Sequence, residues 1–404
     1  MRSKMKVIAA LTITLVAGAS LVACSGQTST TTTSGSSNQT FTIGAALPLS
    51  GPNISFGKLL SDGYDSAVKY VNSAGIIKGK LKMAYGDDQC LPQPAVTAVH
   101  QLVEVNNAVA LGVLCSNAVQ AVAPYTLSNK ILTVNTNGSS PDMAGVSKSV
   151  VSLGPLLTGE LPLMMNYAVK KLKVKKVAVM YTDETLGQSA AKAVNSLASK
   201  LHYKVVASLN VSALDTTDFS SQVAKIAAAK PDAVFVGMLG ASQSNAFLTN
   251  LRQAGVTAPA LSYDGFNDPT TIALDAAQGS YYAQPNVDLS ATDKVTKGYL
   301  ASYRKTHSAD PAAASLPGAN AVILIAEAIA ALQKSGTKVT SAAILNYVNS
   351  DKKFDLIGGN ATFIFPDAIL APAMSIIKIE NKAPVSVQSI TSATVRKTIS
   401  NSGL

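Results

Sequence analysis

The feature that most restricts the fold is a regular alternation of short, continuous apolar runs with amphipathic stretches, which begins at Phe41. Continuous apolar runs are typical of strands that are buried on both faces, and the stretches between them have a helical period. Strands that alternate with helices form βαβ units and a parallel sheet. The first round predicts strands at residues 41–47, 81–86, 108–113 and 131–134, and helices at residues 56–74, 93–106 and 118–127.

The same alternation starts again near residue 159, and the 404-residue chain is long enough for two domains. Any two-domain Rossmann-like protein has this pattern, so the pattern alone does not separate a binding protein from a dehydrogenase. The second round predicts helices at residues 159–171, 187–200, 219–229 and 242–254, and strands at residues 176–181, 203–209, 232–237 and 260–263. The remainder predicts helices at residues 293–306, 312–334 and 341–349, and strands at residues 362–365 and 373–379.

Charge and missing motifs disfavour nucleic-acid binding and catalysis. The net charge is +10, but the basic residues are scattered apart from a run at residues 170–176, which is interpreted as a solvated turn. A nucleic-acid surface would combine a basic stripe with interleaved aromatic residues. The sequence has no G-x-G-x-x-G after its first strand, no Walker A motif and no G-x-S-x-G elbow. We therefore expect no enzymatic activity, no cofactor and no nucleic-acid partner.

The amino terminus predicts export and a membrane anchor. Basic residues precede an apolar stretch at residues 7–21, which is short for a membrane span and typical of a secretory signal. Cys24 follows Leu-Val-Ala, which resembles a bacterial lipobox and implies cleavage before Cys24 and a lipid on its thiol. An ordinary signal peptide with an incidental cysteine is the alternative. We expect a signal peptide at residues 1–23 and a flexible Ser/Thr linker at residues 24–40.

The other two cysteines, Cys90 and Cys115, form an even pair in an oxidising compartment and predict a disulfide. Both follow predicted strands, and we expect these strands to be sheet neighbours whose ends lie close enough to bridge. The three histidines are scattered, so no metal site is expected. Asp87 and Asp88 leave two interpretations open, a metal ligand or a polar turn with helix capping, and the second is favoured.

Several ordered segments resemble the leucine/isoleucine/valine-binding family of type I periplasmic solute-binding proteins. They include a strand followed by PLSGP, the segment NSAGIIKG, the turn DDQCLP, the segment LGVLCSNAV, and KKVAVMYTDETLGQSAAKAV and LRQAGVTAPALSYDG further on. The resemblance implies two Rossmann-like α/β lobes with parallel sheets, joined by a three-segment hinge. Lobe one would comprise residues 41–157 and 287–363, and lobe two residues 158–286 and 364–404.

The resemblance also implies a ligand cleft at the carboxyl ends of the strands. Ser116 opens a predicted helix, where a hydroxyl and free N–H groups suit a ligand carboxylate, although simple N-capping is the alternative. Family positions that contact the α-amino and α-carboxyl groups match Asn137 and Ser139, and Asp264 matches an acidic residue for the ammonium. Where the family commonly has tyrosines, this chain has Phe56, Leu186 and Leu239. We expect these three to give a larger and drier pocket, which puts branched-chain specificity in doubt.

These observations predict an extracytoplasmic solute-binding lipoprotein held to the cell membrane by its lipidated cysteine. It would capture an amino acid or a related small carboxylate and deliver it to the permease and ATPase subunits of an ABC importer. The alternatives are the same fold binding an amide, urea or an aromatic acid, and a ligand-sensing protein coupled to a membrane receptor.

Overall fold

The structure is a computed structural model that describes residues 39–212, 216–238, 240–350 and 353–402. The predicted signal peptide, Cys24 and most of the Ser/Thr linker lie outside these residues. The first elements in chain order are β1 (Thr40–Leu47), α1 (Ile54–Ala74), β2 (Lys80–Asp87), α2 (Pro92–His100), β3 (Ala108–Val113), α3 (Ser116–Ser128), β4 (Leu132–Asn135) and β5 (Val150–Ser152).

The chain continues with a second alternating series and a mixed carboxyl-terminal part. The second series is α4 (Leu156–Lys170), β6 (Lys176–Thr182), α5 (Thr185–Leu201), β7 (Lys204–Val211), α6 (Ser220–Ala229), β8 (Ala233–Gly237), α7 (Ala241–Gln253), β9 (Ala260–Ser262), α8 (Pro269–Ile272) and β10 (Tyr281–Pro285). The last part is α9 (Lys294–Tyr303), α10 (Leu316–Lys334), α11 (Ser341–Val348), β11 (Phe354–Leu356), β12 (Gly359–Ala361), β13 (Phe363–Ile364), β14 (Ile369–Leu370), β15 (Met374–Glu380), β16 (Ala383–Ile390) and α12 (Ser392–Ser402).

Within the described ranges the strands form two seven-stranded sheets and one two-stranded ribbon, β11–β12. Lobe one is defined here by the sheet β13-β14-β5-β4-β3-β1-β2, and lobe two by the sheet β16-β15-β10-β9-β8-β6-β7. Strands β1 to β5 pair in parallel, as do β6 to β10, and antiparallel pairs involve β13 in lobe one and β15 and β16 in lobe two. The predicted α/β fold with two parallel sheets is confirmed.

The central strands are mostly apolar, as is typical of strands that helices cover on both faces of a sheet. In β1, Ile43, Ala45 and Leu47 are completely buried, and in β6 the same holds for Val177 and Met180. Helix α10 is long and apolar enough to cross a membrane by length and composition alone, yet 72% of its apolar window is buried in the protein. It packs along α1. We therefore interpret α10 as a core helix of lobe one.

The described chain passes between the lobes three times, at residues 153–155, 286–293 and 371–373. Each lobe is consequently assembled from separated parts of the sequence. The sheet of lobe one includes β14, which lies beyond the boundary expected at residue 363. Three crossing segments at one side of a cleft are the arrangement that allows two lobes to open and close as a hinge.

The disulfide between Cys90 and Cys115 is present, with the two Cα atoms 5.3 Å apart. The expectation that strands β2 and β3 are neighbours is wrong, because β1 lies between them in the sheet. The cysteines meet because Cys90 lies on a turn beyond the end of β2. Asp87 Oδ1 accepts the Leu49 N–H at 2.9 Å and Asp88 Oδ1 accepts the Cys90 N–H at 2.9 Å, so these carboxylates organise the turn.

Candidate functional site

The start of helix α3 forms one wall of the cleft between the lobes. Ser116 is the first residue of this helix and is buried. Its Oγ accepts the main-chain N–H of Ser140 at 3.1 Å. Asn117 donates to the Cys90 carbonyl at 2.6 Å, which ties the helix start to the disulfide turn. The first N–H groups of a helix lack partners within that helix, so this end is suited to an anionic group.

The loop after β4 lies directly against this helix start. Asn135 closes the loop on itself, because its amide donates to the Gly138 carbonyl at 2.8 Å and accepts the Gly138 N–H at 2.7 Å. A Cβ atom at Gly138 would lie 2.9 Å from both the Leu114 carbonyl oxygen and the Ser116 nitrogen. Glycine is therefore required for the loop to approach the helix this closely. Ser139 Oγ donates to the Asn137 carbonyl at 3.0 Å and so belongs to the same loop.

Lobe two contributes an acidic group that contacts this loop. Asp264 follows β9 at the carboxyl end of the sheet and is 7% exposed. The Asn137 side-chain amide donates to Asp264 Oδ2 at 2.8 Å, across the cleft. Burial raises the pKa of Asp264 from 3.8 to about 6, and the hydrogen bond from Asn137 opposes part of that rise. Asp264 is therefore mostly ionised at neutral pH, at a cost in free energy.

An interlobe cavity of about 50 Å³ brings four of the predicted residues together: Phe56, Ser116, Asn137 and Leu186. Its other lining residues are Asn53, Cys90, Leu114, Cys115 and Gly138. The cavity combines an apolar side with the polar start of α3. It is small in this arrangement of the lobes, and the larger, drier pocket expected from the missing tyrosine rings stays a prediction.

Leu186 is held at this position by the cap of helix α5. Glu184 accepts the N–H groups of Leu186 and Gly187, each at 2.7 Å, and the Thr182 hydroxyl at 2.9 Å. The helix start therefore presents Leu186 to the cleft. Leu239, the remaining predicted position, lies outside the described residues. The ligand-binding roles of all these residues stay predictions.

Sequence reasoning missed one buried acid in this region, Glu160 of helix α4. It is 1% exposed. Burial raises the pKa of Glu160 well above its ordinary value, and the neighbouring Asp264 carboxylate raises it further. The signal that could have revealed it is an isolated glutamate inside the apolar segment LLTGELPLMM, where a surface helix would carry more polar residues.

Two α/β lobes that are joined by three crossing segments and enclose a cleft are the arrangement of a solute-binding protein. The family model described as periplasmic binding protein matches residues 40–384. The chain belongs to this family. The similar proteins of the family are solute-binding proteins and not enzymes. The predicted resemblance to the leucine/isoleucine/valine-binding proteins is confirmed.

Curated relatives are similar over much of their length. The chain is 25% identical over 346 residues to Leu/Ile/Val-binding protein homolog 3 of Brucella melitensis, covering 83% of this chain and 90% of that protein. It is 31% identical over 232 residues to an amino acid binding protein of Pseudomonas aeruginosa, covering 55% of this chain and 60% of that protein.

Solved structures share the fold. A leucine-binding protein from Thermotoga maritima superposes with a TM-score of 0.78 at 18% identity, covering 87% of this chain and 99% of that one. A solute-binding protein of an ABC transporter from Rhodopseudomonas palustris, in complex with 3,4-dihydroxybenzoic acid, gives a TM-score of 0.74 at 20% identity, covering 87% of this chain and 98% of that one.

Proposed function

We propose that this chain captures an amino acid between its lobes and delivers it to an ABC importer. The observation that carries the proposal is the position of Asp264, a buried carboxylate that points across the cleft at an N–H donor of lobe one. In the described ranges, no Lys, Arg or His side chain forms an ion pair with it. A buried charge of this kind calls for a cationic partner, and a ligand ammonium would supply one.

The opposite end of an amino acid would bind at the start of α3. The Ser116 hydroxyl and the first turn of that helix suit a carboxylate, because the macrodipole of the helix favours negative charge there. Asp264 and Ser116 are connected through the single loop that contains Asn137 and Ser140. An anion site and a cation site joined by one loop would suit the carboxylate and the ammonium of one amino acid.

Ligand entry requires the lobes to separate. The cavity of about 50 Å³ is far smaller than the several hundred cubic ångströms of ordinary ligand pockets. Opening at the three crossing segments would admit the ligand, and closure would bury it between Phe56 and Leu186. The hydrogen bond between Asn137 and Asp264 would then be replaced by, or shared with, the ligand ammonium.

An aromatic acid is the second candidate. The apolar groups of Phe56 and Leu186 stand where related proteins commonly have tyrosines, and they favour a bulky, apolar ligand. Solved relatives include proteins crystallised with 3,4-dihydroxybenzoic acid and with benzoate. An aromatic acid has no ammonium, however, and would leave the Asp264 carboxylate without a cation.

The proposal includes membrane anchoring through a lipid on Cys24 and transfer of the ligand to the permease and ATPase subunits of the importer. The charged start, apolar core and lipobox-like cysteine of the amino terminus support the anchor. The names of similar solved proteins, which are solute-binding proteins of ABC transporters, support the transfer.

Thermal unfolding with a panel of amino acids and aromatic acids tests the ligand class. A ligand that binds only the folded protein raises the melting temperature, by an amount that grows with its concentration relative to its dissociation constant. We expect at least one amino acid to raise it, and the matching des-amino acid to raise it much less. Stabilisation by benzoate or a hydroxybenzoate, and by no amino acid, would favour the second candidate.

A further inference from the structure

Two carboxyl groups lie buried side by side in lobe two. Glu160, in the second turn of α4, is 1% exposed and Asp264 is 7% exposed. The main-chain N–H of Asp264 hydrogen bonds to the Glu160 carboxyl group. Helix α4 packs on β9 and β10, which places the pair between the helix and the sheet, beside the cleft.

The described surroundings of this pair contain acids and phenols but no facing cation. Glu160 Oε2 has no hydrogen-bond partner among the described residues. Two nearby cations are engaged elsewhere, because Lys378 of β15 pairs with Glu380 at 2.6 Å and Arg396 of α12 donates to the Thr362 carbonyl at 2.8 Å. The elements packed on α4 carry further titratable groups, and Asp264 is the charged one that raises the pKa of Glu160. The others are Asp142, Glu184, Lys192, Lys200, Tyr263, Tyr281, Tyr282 and Lys397.

Two ionised carboxylates without a cation are too costly in a buried site, so the pair retains a proton. The two environments decide which group carries it. Asp264 accepts the Asn137 amide, which favours its ionised form. Glu160 has only a main-chain N–H and an oxygen without a partner, which favours its neutral form. Environments that push two neighbouring acids apart assign different protonation states to them.

We propose that Glu160 is a positioning residue that holds a proton while the cleft is free of ligand and releases it when a ligand ammonium binds to Asp264. The inference rests on the proposed function. The bound ammonium adds a positive charge beside the pair, which favours the ionised form of Glu160. The O–H bond of Glu160 breaks and its proton passes to solvent buffer. Affinity for ammonium ligands therefore rises with pH, while affinity for des-amino acids does not.

Calorimetry at pH 8 tests the release directly. The comparison with Glu160→Gln assigns the released proton, because a coupled pair of acids titrates as a unit and only the variant removes one member of it. Binding of an amino acid is measured in phosphate and in Tris, whose different ionisation enthalpies reveal the number of protons transferred. We expect the wild type to release a substantial fraction of one proton more than Glu160→Gln. Equal proton release by the two proteins would overturn the proposal.

Melting of the ligand-free protein from pH 5 to pH 9 provides a second measurement. A raised carboxyl pKa stabilises the fold below the ordinary pKa, and this stabilisation is lost as the pH rises through the folded value. The melting temperature of the wild type should therefore fall more between pH 5 and pH 9 than that of Glu160→Gln. Asp88→Asn is the matched control, because Asp88 is a buried carboxyl of lobe one whose pKa is about 6. Asp88 should be fully ionised by pH 8, so its effect on the melting temperature should not change between pH 8 and pH 9.

The two measurements separate the inference from the function on which it rests. If amino acids bind but the melting temperatures of wild type and Glu160→Gln change in parallel with pH, Glu160 holds no proton and the inference fails alone. If Glu160→Gln flattens the dependence of melting temperature on pH but no amino acid binds, Glu160 does hold a proton in the free protein. The proposed ligand class is then wrong, and the proposed release of the proton on ligand binding is overturned as well.

Discussion

Replacing Asp264 with asparagine should stabilise the ligand-free protein at neutral pH and lower its affinity for an amino acid. Burial raises the pKa of Asp264 from 3.8 to about 6, which corresponds to roughly 3 kcal/mol against the ionised folded state. Because the folded state binds this proton more tightly than the unfolded chain, the contribution favours folding in acid and is lost as pH rises through the folded pKa. From this group alone, the wild type should lose roughly 2–3 kcal/mol of unfolding free energy between about pH 4 and pH 8.

Ligand affinity should change in the opposite direction. Removing one partner of a desolvated charge pair costs on the order of 2–5 kcal/mol, so Asp264→Asn should bind an amino acid far more weakly. The des-amino analogue lacks the ammonium and should bind as before. Ser116→Ala is the comparison variant, and it should weaken both ligands by about 1 kcal/mol because both retain the carboxylate.

Urea unfolding without ligand at pH 4, 6 and 8 measures the first effect, and calorimetry with both ligands measures the second. Between pH 4 and pH 8 the wild type should lose more unfolding free energy than Asp264→Asn. Equal losses in the two proteins would refute the reasoning on burial. The charge-pair argument is refuted if Asp264→Asn retains amino-acid affinity while Ser116→Ala abolishes it.

Three further outcomes are expected. Gly138→Ala should cost about 1–3 kcal/mol of stability and weaken ligand binding, because the added Cβ would meet main-chain atoms. Gly154→Ala is the control, because no atom lies within 4 Å of its added Cβ, and equal unfolding curves for the two variants would contradict the prediction. Cys90 and Cys115 should resist alkylation until reductant is added, and reduction of this bridge, which spans 25 positions, should lower stability by about 3 kcal/mol; two reactive thiols in the native protein would exclude it. Cys24→Ser should release the mature protein from membranes, and continued sedimentation of the variant with membranes in high salt would count against the lipid anchor.

The strands that could be predicted are those whose burial is visible in consecutive residues. Strands β1, β6 and β8 are continuous apolar runs covered on both faces, and their predicted positions agree closely with the structure. Strand β16 was missed because seven of its eight residues are exposed and it is an edge strand that pairs on one side. Its pairing with β15 depends on tertiary context that local sequence does not contain.

Strand order could not be read from local sequence either. Chain proximity suggested that β2 and β3 are neighbours, but the sheet inserts β1 between them. The disulfide was nevertheless predicted correctly, because two cysteines expected in an oxidising compartment usually pair. The pairing was right although the strand neighbourhood from which it was argued was wrong.

The candidate site was predictable where a motif marks it and not where packing creates it. Ser116, Asn137 and Asp264 follow strands in recognisable turns, and the structure brings them to one cleft. Glu160 has no motif, and a helical glutamate ordinarily faces solvent. Its burial results from the packing of α4 on β9 and β10, which begin at Ala260 and Tyr281, far along the sequence from Glu160.

The three crossings between the lobes also govern the order in which the protein can be made. The sheet of lobe one starts with β1 at Thr40 and is complete only when β14 at Ile369–Leu370 has been synthesised. Lobe two likewise requires β15 and β16, so neither lobe can fold to completion while the chain is still growing. Contacts between such distant parts of a sequence form slowly. Both sheets can therefore be completed only when nearly the whole chain has been made.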